Sequence, residues 1–261
     1  MLCGFLLAVF VIVITGLIIS DLTYLAVKKV GWEQAAALLG QRRIVFAMRM
    51  SVATSLTTLA LVMLTAVPIG YALSRLRFPG KSIVNTIVDV PIVLPPVVTG
   101  ISLLAFFSFG IGDPLKRMLE TFHLSLVSGL GIVLCQYLMA VSFCIRSAKT
   151  AFEGVDQGLE NVAQVLGCSE WQAFMRVSLP LARNGLVAGS VMAWARAIGV
   201  FGPLMVFVGT GPGVLVMPTT LWLELSIGNI ETSVCIALIM LLMAGAALTV
   251  VHRLAPGGNT V

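Results

Sequence analysis

Apolar residues run along this chain in blocks near the ~20 residues that cross a bilayer as a helix, parted by shorter polar stretches. The blocks lie at 1–20, 51–73, 83–108, 127–145, 185–208 and 231–251, so six membrane-spanning helices are expected, with both termini on one side. The first block has no basic leader and no clear small-x-small cleavage site, and it outruns an ordinary signal core. It therefore reads as an uncleaved span rather than a signal peptide. Residues 21–50 read as a loop carrying a short interfacial helix over Trp32–Leu39. The third block holds Pro91, Pro95 and Pro96, which remove backbone donors and predict a kinked span. Residues 110–126, 146–184 and 209–230 read as loops, and 254–261 as a short tail.

Composition sharpens this picture. Of 261 residues, 59% are apolar and 10% charged, against about 25% charged in an ordinary soluble domain. The mean hydropathy is +1.05. The chain is an all-α, polytopic membrane protein by these measures. The formal charge of +5 is spread through loops, not gathered into the basic, aromatic-interleaved patch of a nucleic-acid binder. Five cysteines without C-x-x-C spacing and two histidines give no metal cluster. Gly80-Lys81-Ser82 lacks the glycine that a phosphate loop needs five residues earlier, where Arg75 stands, so it is a basic turn. The chain shows no catalytic triad, no paired-carboxylate site and no cofactor motif.

Charge gives no orientation. Arg75, Arg77, Lys81, Arg146, Lys149, Arg176, Arg183 and Arg253 fall on one side, and Lys28, Lys29, Arg42, Arg43, Arg49, Lys116 and Arg117 on the other.

One interruption stands out. Residues 159–180, LENVAQVLGCSEWQAFMRVSLP, read as two short amphipathic helices. Leu159, Val162, Ala163 and Leu166 share one face, and Trp171, Phe174, Met175 and Ser178 repeat the spacing. Gly167 suits a left-handed helix end, and Ser169 with Gln172 forms a capping box for the second helix. A helix pair placed between spans is built to be gripped by a partner.

Other candidates lie within the spans. Gly185, Gly189, Ala193 and Ala197 recur at four-residue steps, either for generic close helix packing or because that helix borders a translocation interface. Arg196 lies within the same span, where an unpaired charge is costly. Counting along the helices sets it near the depth of Asp89. The two residues are read either as a structural pair or as members of an anion path, with Thr99 a further path candidate. Trp171 is an interfacial anchor or a docking residue, Trp194 an interfacial anchor, and 210–220 a polar connection.

The spacing of residues 159–180 resembles the coupling motif E-A-A-x3-G-x9-I-x-L-P in permease subunits of ATP-binding-cassette importers. Asn161, Val162 and Ala163 stand at the E-A-A positions, Gly167 at the glycine, and Val177, Leu179 and Pro180 at I, L and P. Asn161 replaces the acid, with Glu160 one residue before it. DVPIVLPPVVTG at 89–100 and ARAIGVFGPLMVF at 195–207 are similar to the molybdate, tungstate and sulfate group, although Val200 stands where relatives often carry an acid.

The resemblance implies a type I importer permease fold with a cytoplasmic coupling loop at 146–184, cytoplasmic termini and an extracytoplasmic 21–50 segment. It makes Glu160, Asn161, Val162, Ala163, Gly167, Trp171, Leu179 and Pro180 the ATPase-coupling residues. It also implies separate ATP-binding subunits that supply hydrolysis in trans, a second permease subunit (a homodimer rather than a heterodimer), an extracytoplasmic substrate-binding protein and a lipid bilayer. The cargo it suggests is an oxyanion, molybdate or tungstate before sulfate. Thiosulfate or ferric iron in the same class, or an ion-coupled secondary transporter, are the alternatives. The last is disfavoured by the lack of repeated halves.

Overall fold

The structure, a computed structural model, describes residues 40–109, 112–121, 128–211 and 213–254, with a few isolated positions before residue 40. The expected first span, the interfacial helix at 32–39 and most of the tail lie outside the described residues, apart from Val13, Gly16, Leu17, Ser20 and Tyr24. Among the described residues every regular element is helical.

Helix α1 spans Arg42–Arg75, beginning well before the expected start at Ser51. Arg42, Arg43 and Arg49 had the look of loop cations. Ile44, Ala47 and Ser51 nonetheless fall on one helical face and are buried, so this turn-rich start belongs to the helix and not to the 21–50 loop. Helices α2 (Lys81–Val93) and α3 (Pro96–Phe109) replace the expected kinked span. They meet at a bend of 109°, a break and not a kink. The cause is local. Pro95 and Pro96 disfavour helical backbone at the residue before each, and Leu94 is extended at φ −64, ψ 134. Helix α3 restarts with Pro96 at its first position, where the missing N–H costs nothing.

After the short α4 (Asp113–Thr121), α5 runs from Gly129 to Glu153, two turns past its expected end. It is followed by α6 (Gln157–Val165), α7 (Glu170–Ala173) and a π-helical turn at Phe174–Ser178 that leads directly into α8 (Leu179–Ile198). The expected fifth span is interrupted at Gly199 and resumes as α9 (Gly202–Phe207). The stretch at 209–230 is not simply a loop: it contains α10 (Met217–Ser226), whose first residues are fully buried. Thr219 and Thr220 return their hydroxyls to Val216 O, and Met217 N–H donates to Ser51 Oγ at 2.7 Å. Polar side chains that satisfy one another in this way are buried at little cost. The last helix, α11, covers Ile230–Leu254.

Helices α1, α5 and α8 form the heart of the bundle. Val62, Ala66, Ala140, Cys144, Ala193 and Ala197 pack in one cluster. Small residues set the spacing. A Cβ on Gly70 would lie 2.7 Å from Ala148 Cβ, one on Gly185 2.5 Å from Ala151 Cβ, and one on Gly189 2.5 Å from Ser147 Oγ. Buried polar side chains join α1 to α5: Thr58 donates to Gln136 Oε1 at 3.0 Å, and Thr65 and Tyr137 share a bond of 2.9 Å. Between apolar helices such close backbones and paired hydroxyls replace the hydrophobic drive that lipid cannot provide. By length and composition α1 and α5 can each cross a bilayer, and α2 with α3 passes the same test only as a pair bent into a broken span or a re-entrant loop.

Candidate functional site

The 157–178 segment forms a rigid helix–turn–helix whose termini are closed by its own residues. Asp156 caps α6 by accepting from Gly158 N–H at 2.9 Å. Its other end is a Schellman turn: Gly167 has φ +95, its N–H reaches Gln164 O at 2.9 Å, and Cys168 N–H reaches Ala163 O at 3.0 Å. Ser169 and Gln172 make both bonds of the capping box, at 3.3 and 3.0 Å, and start α7.

Beneath this pair, Glu160 is 4% exposed and faces the bundle, not the outside. Arg75, in the last turn of α1, donates from Nε to Glu160 Oε1 at 2.9 Å. The second Arg75 nitrogen, Nη2, donates to Glu160 Oε1 at 2.5 Å and to Val155 O at 3.0 Å. Tyr71 OH donates to Oε2 at 2.9 Å and Ser178 Oγ to Oε1 at 2.5 Å. Burial acts to raise the Glu160 pKa, but the hydrogen bonds from Ser178, Arg75 and Tyr71 and the guanidinium charge outweigh it, so the carboxyl is held below its ordinary value. Around the polar knot Tyr71 stacks edge-on with Phe152 at 5.3 Å and Phe174 at 4.6 Å. The end of α1 and the π turn are thus both tied to one carboxylate on α6.

The opposite side of the segment is apolar and bare. Leu159, Val162, Val165, Leu166, Trp171, Met175 and Leu181 are exposed. Trp171 is 68% exposed, with its ring 5.4 Å from that of Phe174. A groove of about 390 Å³ runs between α6 and the start of α8, lined by Leu159, Val162, Ala163, Leu166, Pro180 and Leu181 among others. Asn161 and Pro180 are exposed at its margins, and Leu179 is half-buried. A contiguous apolar patch of this kind suits association with another protein or with a membrane.

The remaining candidates are dispersed. Asp89 does not pair with Arg196. It faces Arg146, Oδ1 to Nη1 at 3.6 Å, while the Arg196 guanidinium lies 4.7 Å over the ring of Phe143. The two depths agree only along straight helices, whereas α2 and α3 meet at 109° and α5 continues through Arg146 beyond its apolar block. Thr99 lies on α3, beyond the bend from Asp89, and is buried with its hydroxyl unpartnered. Gly185, Gly189, Ala193 and Ala197 face α5. The indole Nε1 of Trp194 is buried without a hydrogen-bond partner, so its polar edge does not serve as an interfacial anchor. At the far end of α1, Arg42, Arg43 and Arg49 line a cavity of about 810 Å³ with Thr210 and Leu215, and Arg43 is paired with Glu224 at 3.0 Å. Among the described residues no cluster of His, Cys, Asp or Glu is placed to hold a metal.

Sequence reasoning missed Arg75, Tyr71 and Ser178 as partners of Glu160. Tyr71 and Arg75 are four apart on one helical face, a signal that was present. Ser178 carries none, because a π turn sets its direction.

The sequence pattern of the family described as "Binding-protein-dependent transport system inner membrane component" matches residues 66–256. The molybdate/tungstate transport system permease protein WtpB of Thermococcus kodakarensis is 40% identical over 163 residues, 62% of this chain and 60% of its own. This chain therefore spans about three-fifths of the length of that relative. A probable molybdenum ABC transporter permease protein of Haloferax volcanii is 37% identical over 208 residues, 78% of this chain and 72% of its own. Among solved structures, a bacterial ABC transporter that imports the acidic polysaccharide alginate is similar with a TM-score of 0.74 at 17% identity, covering 99% of this chain and 96% of its own. The methionine ABC transporter MetNI in inward-facing conformations gives 0.65 at 16% identity, covering 82% and 94%.

Proposed function

This chain belongs to the family of binding-protein-dependent transport system inner membrane components, and we propose that it is the membrane-spanning permease of an importer for molybdate or tungstate. The observation that carries this reading is the 157–178 platform: an apolar, exposed helix pair whose inner side is bolted to α1 through Glu160. Such a platform suits the cleft of a separate ATP-binding subunit, which supplies hydrolysis, while the chain itself catalyses nothing. The names borne by its relatives support the cargo.

In this reading six spans cross the inner membrane of a bacterium or archaeon, with the platform and both termini on the cytoplasmic side. Two permease subunits, in a homodimer, line one path through the lipid. A substrate-binding protein docks at the opposite end, where Arg42, Arg43 and Arg49 gather. Arg196, Asp89 and Thr99 are candidates for the path wall. ATP binding biases an inward-open to outward-open equilibrium because the ATPase grips the platform differently in the two states.

The test is reconstitution of the permease with its ATPase in liposomes, followed by uptake of labelled molybdate from a loaded binding protein. Uptake that requires ATP and is competed by tungstate is expected. Assembly of the complex with uptake of none of molybdate, tungstate or sulfate would overturn the cargo, and failure to bind an ATPase would overturn the class.

A further inference from the structure

Arg146 on α5 and Arg196 on α8 both border the Phe143 flank of α5. Phe143 and Arg146 are three residues apart and so share a face of that helix. The Arg196 guanidinium, reaching over from α8, lies 4.7 Å above the Phe143 ring. Both cations are exposed in the single chain, Arg146 at 64%. Arg196 stands in the last turn of α8, within the expected fifth span, and Arg146 stands where the apolar block of α5 ends. Lipid does not tolerate an arginine face at such positions, so this flank borders water, protein or cargo.

Neither arginine is firmly satisfied. Among the described residues Arg196 has no carboxylate partner, only the π face beneath it. Arg146 has Asp89, but at 3.6 Å the two form an ion pair without a hydrogen bond. Arg75, by contrast, is tied to Glu160 by two hydrogen bonds within one buried knot. The Asp89–Arg146 contact is loose enough to be exchanged for a better acceptor. One turn further along α5, Lys149 is held by Asn85 at 3.3 Å and Glu153 at 3.8 Å, so it is less available.

We propose that Arg146 and Arg196 form a two-cation station for a tetrahedral oxyanion on the path side of the chain, with Asp89 as its tethered counter-anion. The inference rests on the importer reading above. The planar guanidinium offers paired N–H donors that match two oxygens of a tetrahedral dianion. Phe143 holds the Arg196 group flat and in place. Asp89 occupies Arg146 between cargoes and is displaced when the doubly charged anion arrives. Its return afterwards keeps the site from holding the anion too tightly to release it. Arg146 is the residue this adds to the path, and Asp89 changes from a wall residue to a competitor for the cation.

The experiment uses the complete transporter in liposomes, with labelled molybdate delivered by the binding protein. In D89N/R146Q the two amides can still hydrogen-bond between α2 and α5 while both charges vanish. The expected result is normal assembly with uptake reduced about tenfold, and a matching rise in ATP hydrolysed per anion. R196Q is expected to behave likewise, and R146K, which restores the charge without the fork, to recover part of the uptake. D89N alone is expected to tighten molybdate binding to the purified permease–ATPase complex. Wild-type uptake from D89N/R146Q would overturn the station, as would loss of assembly in that variant, which would make the pair a structural tie. Failure of the wild-type complex to import any oxyanion would instead sink the importer reading, and the station with it.

Discussion

Glu160 in the docking platform and Arg75 at the end of α1 form a buried ion pair, 2.9 Å from Nε to Oε1, across 85 residues of sequence. The pair turns a surface helix into an extension of a membrane helix. Glu160 therefore positions the platform from its buried side, and under the importer reading the exposed apolar side of α6 is the one left for an ATPase.

Replacing Glu160 with Ala leaves the Arg75 guanidinium buried without its carboxylate. Removing one partner of a buried pair costs about 3–5 kcal/mol. A lower unfolding temperature in detergent and rapid proteolysis within 157–178 are expected. An unchanged melting curve with an intact loop would show that the pair contributes nothing.

The knot also has a pH dependence with a definite sign. The folded-state pKa of Glu160 is lowered, so its contribution is fully present above the ordinary glutamate value of about 4.3 and is lost as pH falls through the lower folded value. The platform is expected to stay docked through neutral and mildly acidic pH and to loosen only in stronger acid. Fluorescence of Trp171, with Trp32, Trp194 and Trp222 replaced by Phe, would follow this. Loosening already near neutrality would contradict the assignment.

Gly167 has φ +95 with open space around the position of a Cβ, so its cost on substitution is purely one of backbone. Gly167→Ala is expected to lose about 1 kcal/mol, whereas Gly167→Pro cannot adopt this φ and removes the N–H bonded to Gln164 O. The proline variant is expected to insert normally while hydrolysing ATP without transport. Coupled uptake measured in liposomes settles it.

Gly189 has the opposite problem. Its backbone is ordinary, but a Cβ would stand 2.5 Å from Ser147 Oγ and 2.6 Å from Ser147 Cβ. Gly189→Ala should force α8 off α5 and lower stability by about 1–3 kcal/mol. Gly245→Ala, which meets nothing within 4 Å, is the matched control. Equal melting temperatures for the two variants would contradict this close approach.

Much of the platform was legible in the sequence because its determinants are local. Gly167, Ser169 and Gln172 act on neighbours within a few residues, so their types reveal the turn. What escaped depends on distance. Asp89 and Arg196 share a depth only along straight helices, and two adjacent prolines turn α2 away from α3. Arg146 was placed in a loop because a charge was taken to end a helix, although the long arginine side chain can leave an intact helix toward water. Helix α10 escaped because Thr219 and Thr220 look like loop residues until their hydroxyls are seen returning to Val216.

The π turn at Phe174–Ser178 passes into α8 with no non-helical residue between them. The second half of the platform and α8 are therefore one unbroken helical run, about 33 Å long from Phe174 to Arg196 at 1.5 Å per residue. Under the importer reading, a twist applied by a partner at Trp171 meets no non-helical break before Gly199 and is expected to reach Gly189 and Arg196.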